Sequence, residues 1–206
     1  MGELILVRHG ETSWSRTMKH TSWTDLPLTG FGEDQARAVA PLLARRRIAL
    51  TLTSGLSRAL RTAELAGLSP AFLDPDLHEW DYGAYEGITT AEIHRDRPDW
   101  DLWTDGVAPG PAEHPGESPQ QVGERADRAL KTIDTALRDA DLDGRGGDVV
   151  VVGHAHFLRV LTARRLGLPA SAGALFRLDT ASVSRIGTEH DRPVIAAWNE
   201  TPAVTA

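Results

Sequence analysis

The run "DVVVVG" (148–153) constrains this chain more than any other stretch. Its unbroken valines leave no polar face, so a strand built from them must be covered on both sides. A sheet with one wet face would alternate apolar and polar residues instead. The run therefore predicts the central strand of a largely parallel sheet. Shorter apolar, β-rich runs, "ELILV" (3–7) and "IALTLTS" (48–54), extend that sheet. Helical patterns lie between them, and the alternation reads as an α/β fold.

The helices carry their own punctuation. "LTGFGEDQARAVAPLLARR" reads as a helix capped by Thr29, with a kink or early break expected at Pro41. Ser57 is placed as the cap of a helix that runs to about Gly67. Thr89 and Glu92 form a capping box in "TTAEI" (89–93). The clearest helix is "SPQQVGERADRALKTIDTAL", with Ser118 as cap, Pro119 in the first position and Gln121 completing the box. Val122, Ala126, Leu130, Ile133 and Leu137 make its buried stripe. "HFLRVLTARRLGL" is a further helix ending at Gly167. Three β-like runs in "ALFRLDTASVSRIGTEHDRPVIAAWN" predict strands that finish the sheet, and 201–206 is expected to fray. The Gly- and Pro-rich insertion "DGVAPGPAEHPGE" (105–117) reads either as a linker or as a lid over a site.

The 206 residues suit one domain, 1–206, with a substantial core. A net charge of −7 argues against a general nucleic-acid binder, so an anionic ligand must meet a local cluster of cations. The absence of cysteine excludes disulfides, thiolate catalysis and Cys-based zinc sites. The N-terminus has no basic leader, and no apolar run approaches the ~18 residues of a membrane span. These features lead to the expectation of a cytoplasmic protein with no membrane partner.

Three of the strands end in a cationic signature. The first runs into Arg8 and His9, the second leads to Arg58 at a helix start, and the third ends in Gly153, His154, Ala155 and His156. If these strands are parallel, their carboxyl ends share the sheet edge where open α/β folds bind ligands. His9 and His154, 145 positions apart, would then meet in one crevice. Arg8 and Arg58 are permanent cations with planar donor forks, and a helix N-terminus also favours anions. Two Arg and two His at one point suggest a doubly charged phosphoryl group. A fourth cluster, "LHEWDYGAYEG" (77–87), offers Glu79 and Glu86, with Asp81 between them, as candidates for a general acid.

With these residues in view, the chain resembles the histidine phosphatase superfamily, the phosphoglycerate-mutase-like group. "LVRHGETSW", "TDLPLTGFGEDQA", "SGLSRALRTAE", "LHEWDYGAYEG", "GES" and "VVVVGHAHFLR" occur in that family's order and cover nearly the whole chain. The resemblance implies a three-layer α/β/α sandwich, its sheet mostly parallel with one antiparallel strand. It also implies a phosphohistidine mechanism without metal or other cofactor. His9 would be the nucleophile, Arg8, Arg58 and His154 would hold the phosphoryl oxygens, and Glu79 would be the proton donor. Ser15, Thr21, Ala155 and His156 are the candidate substrate contacts. Ser15 stands where the family often has Asn, Ala155 where it has Gly, and Arg61 where it has Gln. A homodimer is a common arrangement in similar proteins.

Each residue also has a plainer role open to it. Arg8–His9 alone is an ordinary strand exit, and Arg58 alone an ordinary helix ion pair. His20, His78, His94 and His190 read as surface or locally bonded residues, and Glu86 as a cap or turn partner. The family reading favours a phosphomonoesterase acting on a small phosphorylated metabolite. The text around "HAHFLRVL" resembles bacterial members with broad or sugar-phosphate specificity. A phosphoglycerate mutase is the alternative, disfavoured because the chain ends soon after its last strand. A metallohydrolase using His154 and His156, or a non-catalytic phosphate binder, ranks below both. The phosphatase mechanism needs a neutral His9 and a protonated Glu79, so an acidic optimum is expected.

Overall fold

In the computed structural model, which describes residues 2–144 and 146–204, the chain order alternates strands and helices as the sequence pattern requires. The elements are β1 (Leu4–Arg8), α1 (Ser13–Arg16), α2 (Gly30–Leu43), β2 (Ile48–Thr53), α3 (Ser57–Leu65), β3 (Phe72–Leu73), α4 (Thr90–Asp96), α5 (Leu102–Asp105), α6 (Pro119–Leu142), β4 (Asp148–Gly153), α7 (Ala155–Arg165), β5 (Val183–Glu189) and β6 (Arg192–Glu200). They form a six-stranded sheet in the order β3-β2-β4-β1-β5-β6. β4 lies between β1 and β2 and is parallel to both, and β2 is parallel to β3. β5 alone runs against its neighbours, antiparallel to β1 and to β6.

Period-two alternation divides the core into two layers. On one face Leu4, Leu6, Val149 and Val151 join the apolar sides of α6 and α7. On the other, Ile5, Val7, Val150 and Val152 pack on α2 and α3 through Val39, Leu43, Ala59 and Ala63. Every residue of β4 is buried, as its sequence demands. All five residues of the α6 stripe belong to the core. The result is the α/β/α sandwich with one antiparallel strand.

Several local expectations change. Ser57 does not cap α3: Leu56 holds that position without a side-chain bond, and Ser57 is the first helical residue. Asp25 from a distant loop caps instead, accepting from the Ser57 N–H at 3.0 Å. A remote carboxylate outcompeted the local hydroxyl. α2 runs through Pro41 and stops two residues later, at Leu43. Of the three β-like C-terminal runs, two become strands. The first falls instead on a 3₁₀ helix, Ala170–Leu175, and an extended segment after it. The short β3 had no alternation long enough to signal it. Part of the expected frayed tail, 205–206, lies outside the described residues.

Candidate active site

β1 delivers the first two functional side chains. Arg8 pairs in register with Gly153, and the His9 N–H donates to the Gly153 carbonyl at 2.9 Å, so β1 and β4 exit together. The chain then turns hard against the start of α2. A Cβ on Gly10 would sit 2.2 Å from the Gly32 carbonyl oxygen, and one on Gly32 would sit 2.1 Å from that of Glu11. Only glycine permits this approach. The turn aims the Gly10 carbonyl back at the His9 ring, where Nδ1 donates to it at 2.8 Å. That bond fixes the tautomer and leaves Nε2 with a lone pair. Burial, then Arg58 and Arg8, hold the His9 imidazole well below its usual pKa. It is a neutral, 6% exposed nucleophile candidate.

Behind His9 lies a fully buried pair. Arg58 Nε donates to His154 Nδ1 at 3.3 Å, and His154 Nε2 meets the Ser54 hydroxyl at 2.8 Å. The His154 and His9 rings stand edge-on, with centroids 5.2 Å apart. Burial first, then Arg58, pushes His154 well below its usual pKa, so it too stays neutral. The other Arg58 nitrogens donate to the carbonyls of Ser22 (2.7 Å) and Thr24 (3.0 Å). Those carbonyls are aimed by Glu86, whose carboxylate accepts from the Ser22 and Thr24 N–H groups. Burial raises the Glu86 pKa. Glu86 thus organises the loop that cradles Arg58.

Glu79 approaches from the other side. Its Oε1 accepts the N–H groups of Trp80 (2.9 Å) and Phe157 (2.7 Å), and Oε2 accepts that of His156 (3.0 Å). The start of α7 therefore binds a carboxylate, as helix N-termini do. Glu79 takes two of those N–H groups and leaves that of Ala155, which lines the cavity. Three of its four lone-pair sites are used, and the fourth is on Oε2. The Glu79 segment is braced by Arg125 of α6. This side chain forks onto Glu117 (2.9 and 2.6 Å) and donates to the carbonyls of Asp76, His78 and Glu79. It also stacks on Phe157, 4.7 Å from the ring centroid.

A cavity of about 350 Å³ opens onto these groups. Arg8, His9, Ser15, Thr21, Glu79, Ala155 and His156 line it, seven of the nine residues singled out in the sequence. Arg58 and His154 are placed behind His9, with 0% exposure. Ser15 is engaged in a reciprocal cap with Thr12, and the Thr21 hydroxyl donates to the Lys19 carbonyl. Arg61 is paired with Glu33 and Glu64 away from the cavity. Neither Asp81 nor Glu86 lines it; the Asp81 carboxylate accepts from Gly83 and Gly116. Among the described residues no group of three or more His, Asp or Glu is placed to hold a metal ion. No helix among them is long and apolar enough to cross a membrane.

Eight cavity residues escaped the sequence reading, among them Lys19, His20, Tyr82, Arg159 and Asp179. His20, read as a surface or locally bonded residue, is buried, and its Nδ1 bonds the Ile88 carbonyl at 2.7 Å. Tyr82 meets His156 Nδ1 at 2.6 Å. Burial raises the phenol pKa well above its usual value and lowers that of His156 well below. A signal existed for Arg159, which lies one turn after His156 on the same face of α7. Loop 107–117 packs on the segment bearing Tyr82 and Gly83: the Ala84 N–H donates to the Ala108 carbonyl at 3.0 Å. His114 stacks on Trp23, with centroids 4.4 Å apart.

Comparison with known proteins agrees with this geometry. The histidine phosphatase superfamily (branch 1) matches residues 4–201. An acid phosphatase of Mycobacterium tuberculosis is 41% identical over 91% of this chain and 87% of its own. The sedoheptulose 1,7-bisphosphatase of Saccharomyces cerevisiae is 36% identical over 80% of this chain and 67% of its own. The solved structure of an open reading frame product of M. tuberculosis superposes with a TM-score of 0.86 at 39% identity, covering 97% of this chain and 98% of that one.

Proposed function

The chain belongs to the histidine phosphatase superfamily, branch 1, and is a phosphoric monoester hydrolase; we propose that it works through a phosphohistidine formed on His9. One observation carries this reading. His9 is a neutral imidazole with Nδ1–H fixed on the Gly10 carbonyl, and it lines a cavity together with Arg8 and Glu79.

In the first step Nε2 attacks phosphorus as the ester P–O bond breaks. A proton on Glu79 Oε2 passes to the departing oxygen. Arg8 and the Ala155 N–H face the charge that spreads over the phosphoryl oxygens, the main lever in such transfers. Arg58 supports the site from behind through its field and its contact with His154. In the second step the Glu79 carboxylate takes a proton from water. The new hydroxide oxygen bonds phosphorus, the N–P bond breaks, and inorganic phosphate leaves. The substrate is a small phosphorylated metabolite of sugar-phosphate type, in keeping with a cavity at the small end of ligand sites.

The test is hydrolysis of an aryl phosphate at pH 5–8 in the presence of a chelator. The native chain is expected to turn over and His9→Ala to lose at least about a thousandfold in kcat. Rapid acid-free quenching should trap labelled protein in the native chain only. Undiminished turnover by His9→Ala overturns the mechanism.

A further inference from the structure

Arg58 is fully buried, yet no carboxylate holds it closely. The nearest carboxylate oxygen among the described residues, Asp25 Oδ1, stands 3.9 Å away on a half-exposed side chain already bonded to Ser57. Backbone carbonyls hold the guanidinium instead: Ser22 at 2.7 Å, Thr24 at 3.0 Å and Thr21 at 3.5 Å. A carbonyl is only as well aimed as the chain that carries it, and residues 21–24 form neither helix nor strand. Glu86 anchors this loop through the N–H groups of Ser22 and Thr24. The residue between them, Trp23, reaches a different element.

Trp23 lies flat on His114, with centroids 4.4 Å apart and ring planes at 8°. Its indole Nε1–H is closed off from solvent and has no acceptor among the described residues. A free loop would turn that donor to water, because leaving the bond unmade costs free energy. The stack keeps it in. The His114 imidazole makes no hydrogen bond among the described residues, so what it offers Trp23 is a flat face. Its backbone is fixed: the His114 N–H donates to the Pro111 carbonyl at 2.9 Å, and the Gly110 N–H to that of Pro115 at 3.2 Å. The base of the loop is tied beside Glu79. There the Glu117 N–H donates to the Asp81 carbonyl at 2.9 Å, and Trp80 Nε1 donates to that of Glu117 at 2.8 Å. Loop 107–117 therefore spans from the Glu79 segment to the cradle of Arg58.

We propose that the His114–Trp23 stack is a clasp that positions Arg58. Loop 107–117 holds the 21–24 loop in the form whose carbonyls receive the guanidinium, and the charge behind the phosphoryl group stays aimed. Neither ring lines the catalytic cavity, so both are positioning residues that act through Arg58. The proposal rests on the phosphatase reading and gives that reaction two residues it does not otherwise use.

The test compares His114→Ala with His114→Phe in aryl phosphate hydrolysis, well below the Tm of either variant. His114→Ala is expected to lower kcat by about fivefold, the worth of one aromatic pair, with KM within about twofold of native. Vanadate takes the five-coordinate geometry of the transferring phosphoryl group, so it should inhibit His114→Ala more weakly by a similar factor. His114→Phe keeps the flat face without the imidazole nitrogens and should return kcat to within about twofold of native. In a Trp23→Leu background, His114→Ala should slow the reaction no further. A kcat for His114→Ala within about twofold of native overturns the proposal. So does a change confined to KM, unchanged vanadate inhibition, full additivity with Trp23→Leu, or a His114→Phe variant no faster than His114→Ala. Each of those outcomes leaves the phosphatase reading intact. Absence of aryl phosphate turnover by the native chain takes down that reading and the proposal with it.

Discussion

Arg125→Met should unfold the chain earlier and slow its chemistry without touching the cavity. Arg125 and Glu117 are an almost dry ion pair, with side-chain exposures of 10% and 20%. The substitution removes both charge-assisted bonds to Glu117 and the bonds to three backbone carbonyls. Removing one partner of a buried pair costs about 3–5 kcal/mol, because the other charge is left uncompensated. A domain of this size loses about 2–4 °C of Tm per kcal/mol, so Tm should drop by roughly 6–20 °C. Urea denaturation should show the same loss with the slope unchanged. Glu117→Leu in the same background supplies the decisive comparison. With both charges gone, the double variant should be more stable than the sum of the single effects predicts, by at least about 1 kcal/mol. Loosening the Glu79 segment should also lower kcat by about tenfold with little change in KM. A Tm within about 2 °C of native for Arg125→Met, or strict additivity in the double variant, would refute the view that this pair carries the Glu79 segment.

The pH dependence has a definite sign. His9, His154 and His156 all have pKa values lowered by burial, so below about pH 6.5 the unfolded chain takes up protons that the folded chain refuses. Stability is therefore full above that pH and falls as pH drops, by up to about 1.4 kcal/mol per pH unit for each imidazole, which thermal melts at pH 5 and 7 will read. The same lowering keeps His9 nucleophilic, so kcat/KM for an aryl phosphate should show no acid-side fall centred near pH 6.5. Ser54→Ala removes the 2.8 Å bond to His154 and should cost about 1 kcal/mol, seen as a Tm drop of about 2–4 °C. Gly83→Ala meets both a left-handed backbone (φ 54°) and the Ala108 carbonyl oxygen at 2.4 Å. It should free loop 107–117, read as faster proteolysis there, with a stability loss of about 1–3 kcal/mol.

What the sequence shows of this molecule follows from the range of each interaction. The valines of β4, the Thr89 and Ser118 capping boxes and the α6 stripe are local or strictly periodic, and each is present as the pattern requires. The convergence of Arg8, His9 and the start of α7 was legible because parallel strands must end on one edge. The Asp25 cap on α3 and the Glu86 hold on the Arg58 loop were not, because they join segments 32 and 62–64 positions apart through single side chains. In the sequence Arg125 is one more polar residue on an amphipathic helix. Nothing in helical spacing says that a charge will be buried against Glu117. Arg58 and His154 could be assigned to the site from motif order, whereas their seat behind the nucleophile depends on which carbonyls the 21–24 loop presents.

The position of β1 in the sheet bears on how the chain is made. β1 is made well before its sheet partners β4 and β5, and its first pair, Leu4 with Val149, spans 145 positions. At an elongation rate of about 5–20 residues per second, roughly 7–30 s separate the two ends of that pair on the ribosome. Through that interval the Leu-Ile-Leu-Val edge has no partner strand, and pairings of such long range are the slow ones. The nucleophile therefore comes into place only after β4 has been made, since its backbone N–H bonds the Gly153 carbonyl. A chain halted before β4 carries the RHG motif with none of the geometry that gives it chemistry.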